Sequence, residues 1–239
     1  MRQERIIPGY YYYGFDYTYL ILVVPALLIA LYAQIRVKST FSHYSRERSV
    51  SGLTGAETAR RILAANGITD VRIERVSGNL TDHYDPAEKV IRLSDSVYDA
   101  ATVAAIGVAA HESGHAVQYA VNYAPIRLRA AIIPITRIGS NLSWPLLVLG
   151  LIFNFQQLVW AGIILFAAVT VFQIVTLPVE FNASRRALAA IDERGMLTEE
   201  ELRGARKVLS AAAMTYVAAL LVSLAQLFRL LLLFGRRRD

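Results

Sequence analysis

Three long runs of apolar residues without any charged side chain dominate the pattern along the chain. They cover 17–35, 138–179 and 208–228. A helix needs about 20 apolar residues to cross the hydrocarbon core of a bilayer. The first and third runs each match one such span. The second is about twice as long and has a polar break at 154–157, so it matches a hairpin of two spans. The pattern predicts an α-helical integral membrane protein with about four spans.

The stretch between the first and second runs has the pattern of a small water-soluble α+β domain. A capping-box sequence at 54–57 begins a short helix, and Asn66-Gly67 ends it. Turn-forming residues then separate segments 71–76 and 89–93, which favours two or three short strands. An alanine-rich helix follows over roughly 98–121.

These features predict five segments along the chain. They are an N-terminal region with the first membrane helix (1–36), the α+β domain (37–137), a hairpin of membrane helices (138–179), a polar helix with a linker (180–207) and a C-terminal membrane helix (208–239). Arg229 lies near the end of the last helix, where we expect its side chain to reach toward the membrane surface.

Composition excludes several classes of function. The chain has 55% hydrophobic and 18% charged residues and no cysteine, so disulfides and thiolate metal sites are excluded. It contains neither a GxxxxGK[ST] nor a GxGxxG nucleotide-binding loop. The net charge of +6 comes largely from basic residues that flank the apolar runs, as in membrane proteins. We therefore expect a lipid bilayer as a partner and no nucleic acid.

The distribution of basic residues predicts the side of the membrane on which the α+β domain lies. Twelve are expected near the span ends on the domain's side: Arg36, Lys38, Arg46, Arg48, Arg127, Arg129, Arg137, Arg185, Arg186, Arg203, Arg206 and Lys207. Six are expected on the opposite side: Arg2, Arg5, Arg229, Arg236, Arg237 and Arg238. The side with more basic residues faces the cytoplasm.

The sequence HESGH at 111–115 places two histidines four residues apart in the predicted alanine-rich helix. Four residues turn a helix by about 400°, so both imidazoles lie on one face, one turn apart. Their nitrogens can then reach one zinc ion at about 2.0–2.1 Å. Glu112, beside them, can accept a proton from a water molecule that the metal activates and pass it to a leaving amine. The motif indicates a zinc-dependent peptidase, with His111 and His115 as ligands.

A catalytic zinc ion needs a third protein ligand, and Glu180 is the best candidate. The chain crosses the membrane twice between Arg137 and Glu180, which returns Glu180 to the side of the two histidines. Other carboxylates and the remaining histidines, His43 and His83, stay open as alternatives.

The HESGH motif and the segment LPVEFNASRRA at 177–187 resemble the YugP-like family of membrane-bound zinc metallopeptidases, distant relatives of the HtpX-like gluzincins. The resemblance covers nearly the whole chain, including 38–41, 51–57, 80–86 and 139–145. It implies a multi-pass protein of a bacterial cell membrane, with Glu180 as third zinc ligand in an E-x-x-A-[DS]-R pattern. Ser184 stands where HtpX-like enzymes commonly carry Asp, so Ser184, Asp192 or another acid could orient a ligand.

The resemblance also implies a place for the substrate. In gluzincins, an edge strand before the HExxH helix binds the substrate backbone, and 89–93 is the candidate here. His83 and Tyr84 could stabilise the oxyanion of the tetrahedral intermediate, or they are surface residues of the turn before Asp85-Pro86.

The function predicted from the sequence is that of a membrane-anchored zinc endopeptidase with a gluzincin-like α+β domain. Its substrates would be proteins or peptides, among them membrane proteins. Two alternatives remain at this stage. One is an intramembrane peptidase of the site-2 type, with HExxH inside a membrane helix. The other is a non-catalytic membrane scaffold with a structural metal site.

Overall fold

The computed structural model describes residues 16–235, so Arg2, Arg5 and the arginines at 236–238 lie outside the described part. A π-helical turn, Tyr19–Val23, leads directly into α1. The elements are α1 (Val24–Tyr44), α2 (Gly55–Ala65), β1 (Arg72–Val76), β2 (His83–Asp85), β3 (Val90–Ser94), α3 (Val103–Ala120), α4 (Ala124–Ile152), α5 (Gln156–Glu193) and α6 (Glu199–Phe234). The described part of the chain is mostly helical, with one small sheet.

Within residues 16–235, four helices are long and apolar enough to cross a membrane, in agreement with the sequence pattern. They are Tyr19–Tyr44, Ala124–Ile152, Gln156–Glu193 and Glu199–Phe234. Many of their large apolar side chains are exposed, among them Leu28, Ile152 and Ile164. In water such surfaces would be unfavourable, whereas they suit contact with lipid.

The bounds of two helices differ from the sequence expectation. Helix α4 begins at Ala124 instead of near Ile138, and α5 continues without a break through Pro178 to Glu193. Charged residues such as Arg137 mark the end of an apolar run, but they do not stop a helix. Pro178 stands close to the second predicted boundary, but α5 includes it, so this helix also continues into the polar segment beside it.

The described residues form two compact units. The helical unit comprises 16–32, 132–174 and 217–235, and the mixed unit comprises 33–131 and 175–216. In the helical unit, Leu147, Val159, Ile163 and Leu230 form a buried apolar cluster. The sheet, α2 and α3 all belong to the mixed unit.

An ion pair in the helical unit joins the start of the described chain to its last helix. Arg229 donates from Nε to Oδ2 of Asp16 at 2.7 Å, and Asp16 Oδ1 accepts from the Thr18 hydroxyl at 2.5 Å. The Arg229 side chain is only 17% exposed. Its reach toward the membrane surface stays a prediction. Asp16 neutralises its charge through a contact that the pattern of apolar runs does not reveal.

The sheet of the mixed unit has the strand order β1-β3-β2, with β1 parallel and β2 antiparallel to β3. Three side chains of β3, Val90, Ile91 and Leu93, are fully buried. Strand β3 covers most of the predicted segment 89–93, but it is the central strand. The prediction that this segment offers a free edge to a substrate is therefore wrong, because β1 and β2 occupy both of its sides.

The helices around the sheet begin at side-chain caps. At α2, Thr54 Oγ1 accepts a hydrogen bond from the Glu57 amide, and Glu57 accepts one from the Thr54 amide, which confirms the predicted capping box. Helix α3 begins later than expected because Thr102 caps it by accepting from the Ala105 amide at 3.3 Å.

Close packing of α3 on α5 depends on Gly114, inside the HESGH sequence. A Cβ atom placed on Gly114 would lie 2.7 Å from the backbone oxygen of Ala183, a distance that real Cβ atoms essentially never show. Gly107, two turns earlier on α3, differs, since a Cβ there would make an ordinary 3.5 Å contact with Ala205. The glycine at 114 therefore sets the distance between the two helices.

We expect Gly114→Ala to lower the stability of the protein by about 1–3 kcal/mol, because the methyl group forces α3 away from α5. Gly107→Ala is the matched control. It adds the same methyl group to the same helix, and alanine favours a helix by up to about 1 kcal/mol over glycine. Thermal unfolding of the detergent-purified proteins measures both effects. Equal midpoints for the two variants would contradict this account of the helix contact.

Candidate metal centre

Three potential metal ligands converge in the mixed unit. The Nε2 atoms of His111 and His115, on α3, lie 3.3 Å and 3.6 Å from Oε2 of Glu180, on α5. All three ligand atoms lie within 4.8 Å of one another. A tetrahedral zinc ion with bonds of about 2.0–2.1 Å separates its ligand atoms by roughly 3.3 Å. The three side chains therefore fit one zinc ion.

Both imidazoles are held by their second nitrogen. His111 Nδ1 lies 3.1 Å from the Ser184 hydroxyl, and His115 Nδ1 lies 3.0 Å from Oε1 of Gln118. Gln118 is fully buried and donates from Nε2 to the backbone oxygen of Val179 at 2.8 Å. Because its Oε1 can only accept, the proton of His115 lies on Nδ1, and Nε2 is left free for a metal.

The two oxygens of Glu180 have different partners. Oε2 faces the histidines, while Oε1 accepts a hydrogen bond from Nη1 of Arg129, on α4, at 3.2 Å. Glu180 is only 2% exposed. Burying a carboxylate requires a compensating charge or hydrogen bonds, and Arg129 supplies both. The pairing leaves one carboxylate oxygen to serve as a metal ligand.

The electrostatics of the centre favour a cation. Burial opposes the charged form of His115, but the hydrogen bond to Glu180 and the charges of Glu112 and Glu180 outweigh it, so the pKa of His115 is raised. Burial raises the pKa of Asp82 as well, and the nearby charge of Glu112 adds to the effect. Two carboxylates, Glu112 and Glu180, thus act on His115, and the carboxyl group of Asp82 lies near Glu112.

Glu112 lines a cavity of about 280 Å³. His111 and Asp82 line the same cavity, and so does Tyr216 of α6. No sequence motif marks Asp82 or Tyr216 as residues of this site. Asp82 is fixed by Ser94, whose amide donates to Oδ1 at 2.7 Å. A polypeptide that entered this cavity would meet Glu112 directly.

The structure separates His83 and Tyr84 from this arrangement. His83 is exposed, with Nδ1 2.8 Å from the backbone oxygen of Thr81. Tyr84 is half-buried, and its ring centre lies 5.7 Å from that of Tyr119. Neither side chain lines the cavity beside Glu112, and their part in oxyanion stabilisation stays a prediction.

Sequence reasoning missed Gln118 and Arg129. A signal existed for Gln118, since it is a polar residue three positions after His115 in an alanine-rich helix, on the same face. No local signal distinguishes Arg129 from its neighbour Arg127, because the contact with Glu180 spans 51 residues of sequence.

The family model described as "Putative neutral zinc metallopeptidase" matches residues 19–235. The chain belongs to this family. A relative from Bacillus subtilis (strain 168), the "Putative membrane protease YugP", is 49% identical over 222 residues, which make up 92% of this chain and 98% of the relative. The YugP-like resemblance of the sequence is thereby confirmed. No solved structure matches the chain.

For this member of the zinc metallopeptidase family, we expect Arg129→Met to weaken zinc binding by about 10- to 100-fold, the usual cost of losing a group that orients a metal ligand. Without Arg129, the buried Glu180 loses the partner of Oε1 and can rotate. Competition with a chelator of known affinity measures the effect.

Arg127→Met is the matched control, since Arg127 lies on the same helix and is exposed. Unchanged or tighter zinc binding by Arg129→Met would contradict the orienting role. Tighter binding would mean that repulsion between the Arg129 guanidinium and the metal weakens zinc binding more than the orientation of Glu180 by Arg129 strengthens it.

Proposed function

We propose that the protein is a membrane-anchored zinc endopeptidase of the gluzincin type. The observation that carries the proposal is the convergence of His111, His115 and Glu180 next to Glu112 and its cavity. Two histidines and one glutamate leave a position open for water or substrate, which distinguishes catalytic zinc sites from closed structural ones.

The side chains of the centre have separate parts in the proposed hydrolysis. His111, His115 and Glu180 hold the metal, while Ser184, Gln118 and Arg129 keep these ligands in place. When bound, zinc supplies a Lewis acid that polarises a carbonyl group and lowers the pKa of water. Glu112 accepts a proton from the attacking water and then gives it to the leaving amine.

We propose that the substrate backbone docks along β2, in place of the central strand β3. Strand β2 is an edge strand and directly follows Leu80 and Asp82, which line the cavity with Glu112. Its unpaired backbone groups could add an extended peptide as a further strand.

The membrane anchor in this proposal consists of the four long apolar helices. Basic residues are more numerous at the span ends that lie nearest the metal centre in sequence, which supports a position of that centre on the cytoplasmic side of a bacterial cell membrane. The length and hydropathy of the helices support the anchoring, and the distribution of basic residues supports the sidedness.

Two alternative functions have less support. A site-2-type peptidase would carry HExxH in a membrane-spanning helix, but α3 has only 18 residues and is not among the four candidate spans of the described chain. A scaffold with a structural metal site would not require Glu112, whereas Glu112 here lines a cavity together with His111.

The decisive test separates metal binding from catalysis. We expect Glu112→Gln to retain about one zinc ion per chain and to lose at least about 100-fold in peptide hydrolysis, the usual contribution of a general base. Metal content by mass spectrometry and turnover of an unfolded protein substrate by the detergent-purified enzyme measure the two properties. Normal turnover by Glu112→Gln would disprove the mechanism.

We further expect Glu180→Gln to lose zinc, because a carboxylate oxygen is a regular zinc ligand in proteins and a neutral amide oxygen is a much poorer one. Glu193→Gln is the control, since it makes the same change at the exposed end of the same helix. Zinc retained in Glu180→Gln but lost in His115→Ala would assign the third ligand to another residue.

A further inference from the structure

Two of the three charge-free runs of the sequence contribute to the cavity beside Glu112, and the third ends directly before Glu180. Gln34, the last residue but one of the run 17–35, lines the cavity beside Glu112. Glu180 directly follows the run 138–179. The run 208–228 begins in the wall of the same cavity, to which it contributes Val208, Leu209, Ala212, Thr215 and Tyr216.

Basic residues stand where these runs meet the cavity. Arg36 and Lys38 follow the first run, and Lys207 directly precedes the last. Lysine and arginine at the ends of membrane helices place their charges at the lipid headgroups. If the helices cross the bilayer as proposed, the membrane surface therefore lies at the level of the cavity.

The depth of the cavity follows from the geometry of α6. Tyr216 comes eight residues after Val208, which corresponds to about 12 Å along a helix. Each headgroup layer of a bilayer is roughly 5–8 Å thick. If α6 stands along the membrane normal and Val208 lies at the outer edge of the headgroups, a cavity of this depth extends through the headgroup layer to the edge of the hydrocarbon core.

The rest of the cavity wall, away from Glu112 and Asp82, is largely apolar. It includes Val37 and Phe41 of α1 and Val108 of α3. The volume of about 280 Å³ lies just below the roughly 300–1,000 Å³ of sites for drug-sized ligands. Its size and lining suit an apolar side chain of an extended polypeptide better than a folded domain.

We propose that the substrates are membrane-inserted polypeptides that are cut within about four residues of the point where a span leaves the bilayer, since an extended chain advances about 3.3 Å per residue and the cavity is about 12 Å deep. Water adds across the peptide bond, which leaves a carboxylate on one fragment and an amine on the other. This inference rests on the proposed peptidase function.

The test uses the full-length protein in liposomes together with tethered substrates. Each substrate carries one membrane span followed by an unstructured tail with one leucine-containing cleavable segment. In the near substrate this segment directly follows the span. In the far substrate a spacer of about 16 residues precedes it, which extends up to roughly 53 Å and so exceeds the depth of the cavity. The near tail without its span is added as a free peptide. Mass spectrometry identifies the bonds that are cut.

We expect the near substrate to be cut at least about 10-fold faster than the far substrate and the free peptide, because the span holds its segment at the cavity and raises its effective concentration there. Equal rates for all three would overturn the inference while leaving the peptidase function intact, and so would faster cleavage of the far substrate. Failure to cut any of them, with zinc bound, would overturn both.

A binding measurement that needs no turnover complements this test. In the Glu112→Gln background, a photocrosslinking residue replaces Thr215 in the cavity wall, and the same residue replaces the exposed Ser210 of α6 as control. We expect crosslinks from position 215 to the residues that directly follow the span, and few from position 210. Crosslinks spread evenly along the tail would contradict the inference.

Discussion

The burial of the Glu180 carboxylate is the constraint on which the rest of the mixed unit depends. A carboxylate that is 2% exposed must be compensated, and its partners come from two other helices. Arg129 of α4 holds one oxygen, while the two imidazoles of α3 face the other. Three helices are thereby fixed around one ionised group. A divalent cation would take its place among charges that are already arranged.

The continuity of α5 through Pro178 gives this arrangement its precision. Glu180 and Ser184 are four residues apart on one helix, so they lie one turn apart on the same face. One of them meets Nε2 of His111 and the other meets Nδ1. A break after Pro178, as the sequence suggested, would have left this pair on a separate short helix.

The sequence predicts those parts of the site that depend on helical spacing and on the length of apolar runs. The pairing of His111 with His115, and the return of Glu180 to the same side, both follow from such local rules. The order of strands in the sheet does not, since β3 becomes central only through contacts with β1 and β2 together. Whether Arg129 or Arg127 contacts Glu180 likewise depends on how α4 is rotated against α5. No local sequence pattern predicts that rotation.

The pairing of Asp16 with Arg229 has a consequence for how the chain is made. These residues are 213 positions apart, so the carboxylate leaves the ribosome long before its partner is synthesised. Throughout that interval Asp16 has to remain hydrated or protonated, or be shielded by another molecule. The ion pair that joins the first helix to the last can therefore form only after the last helix has been synthesised, so this contact belongs to the final stage of the biogenesis of the unit.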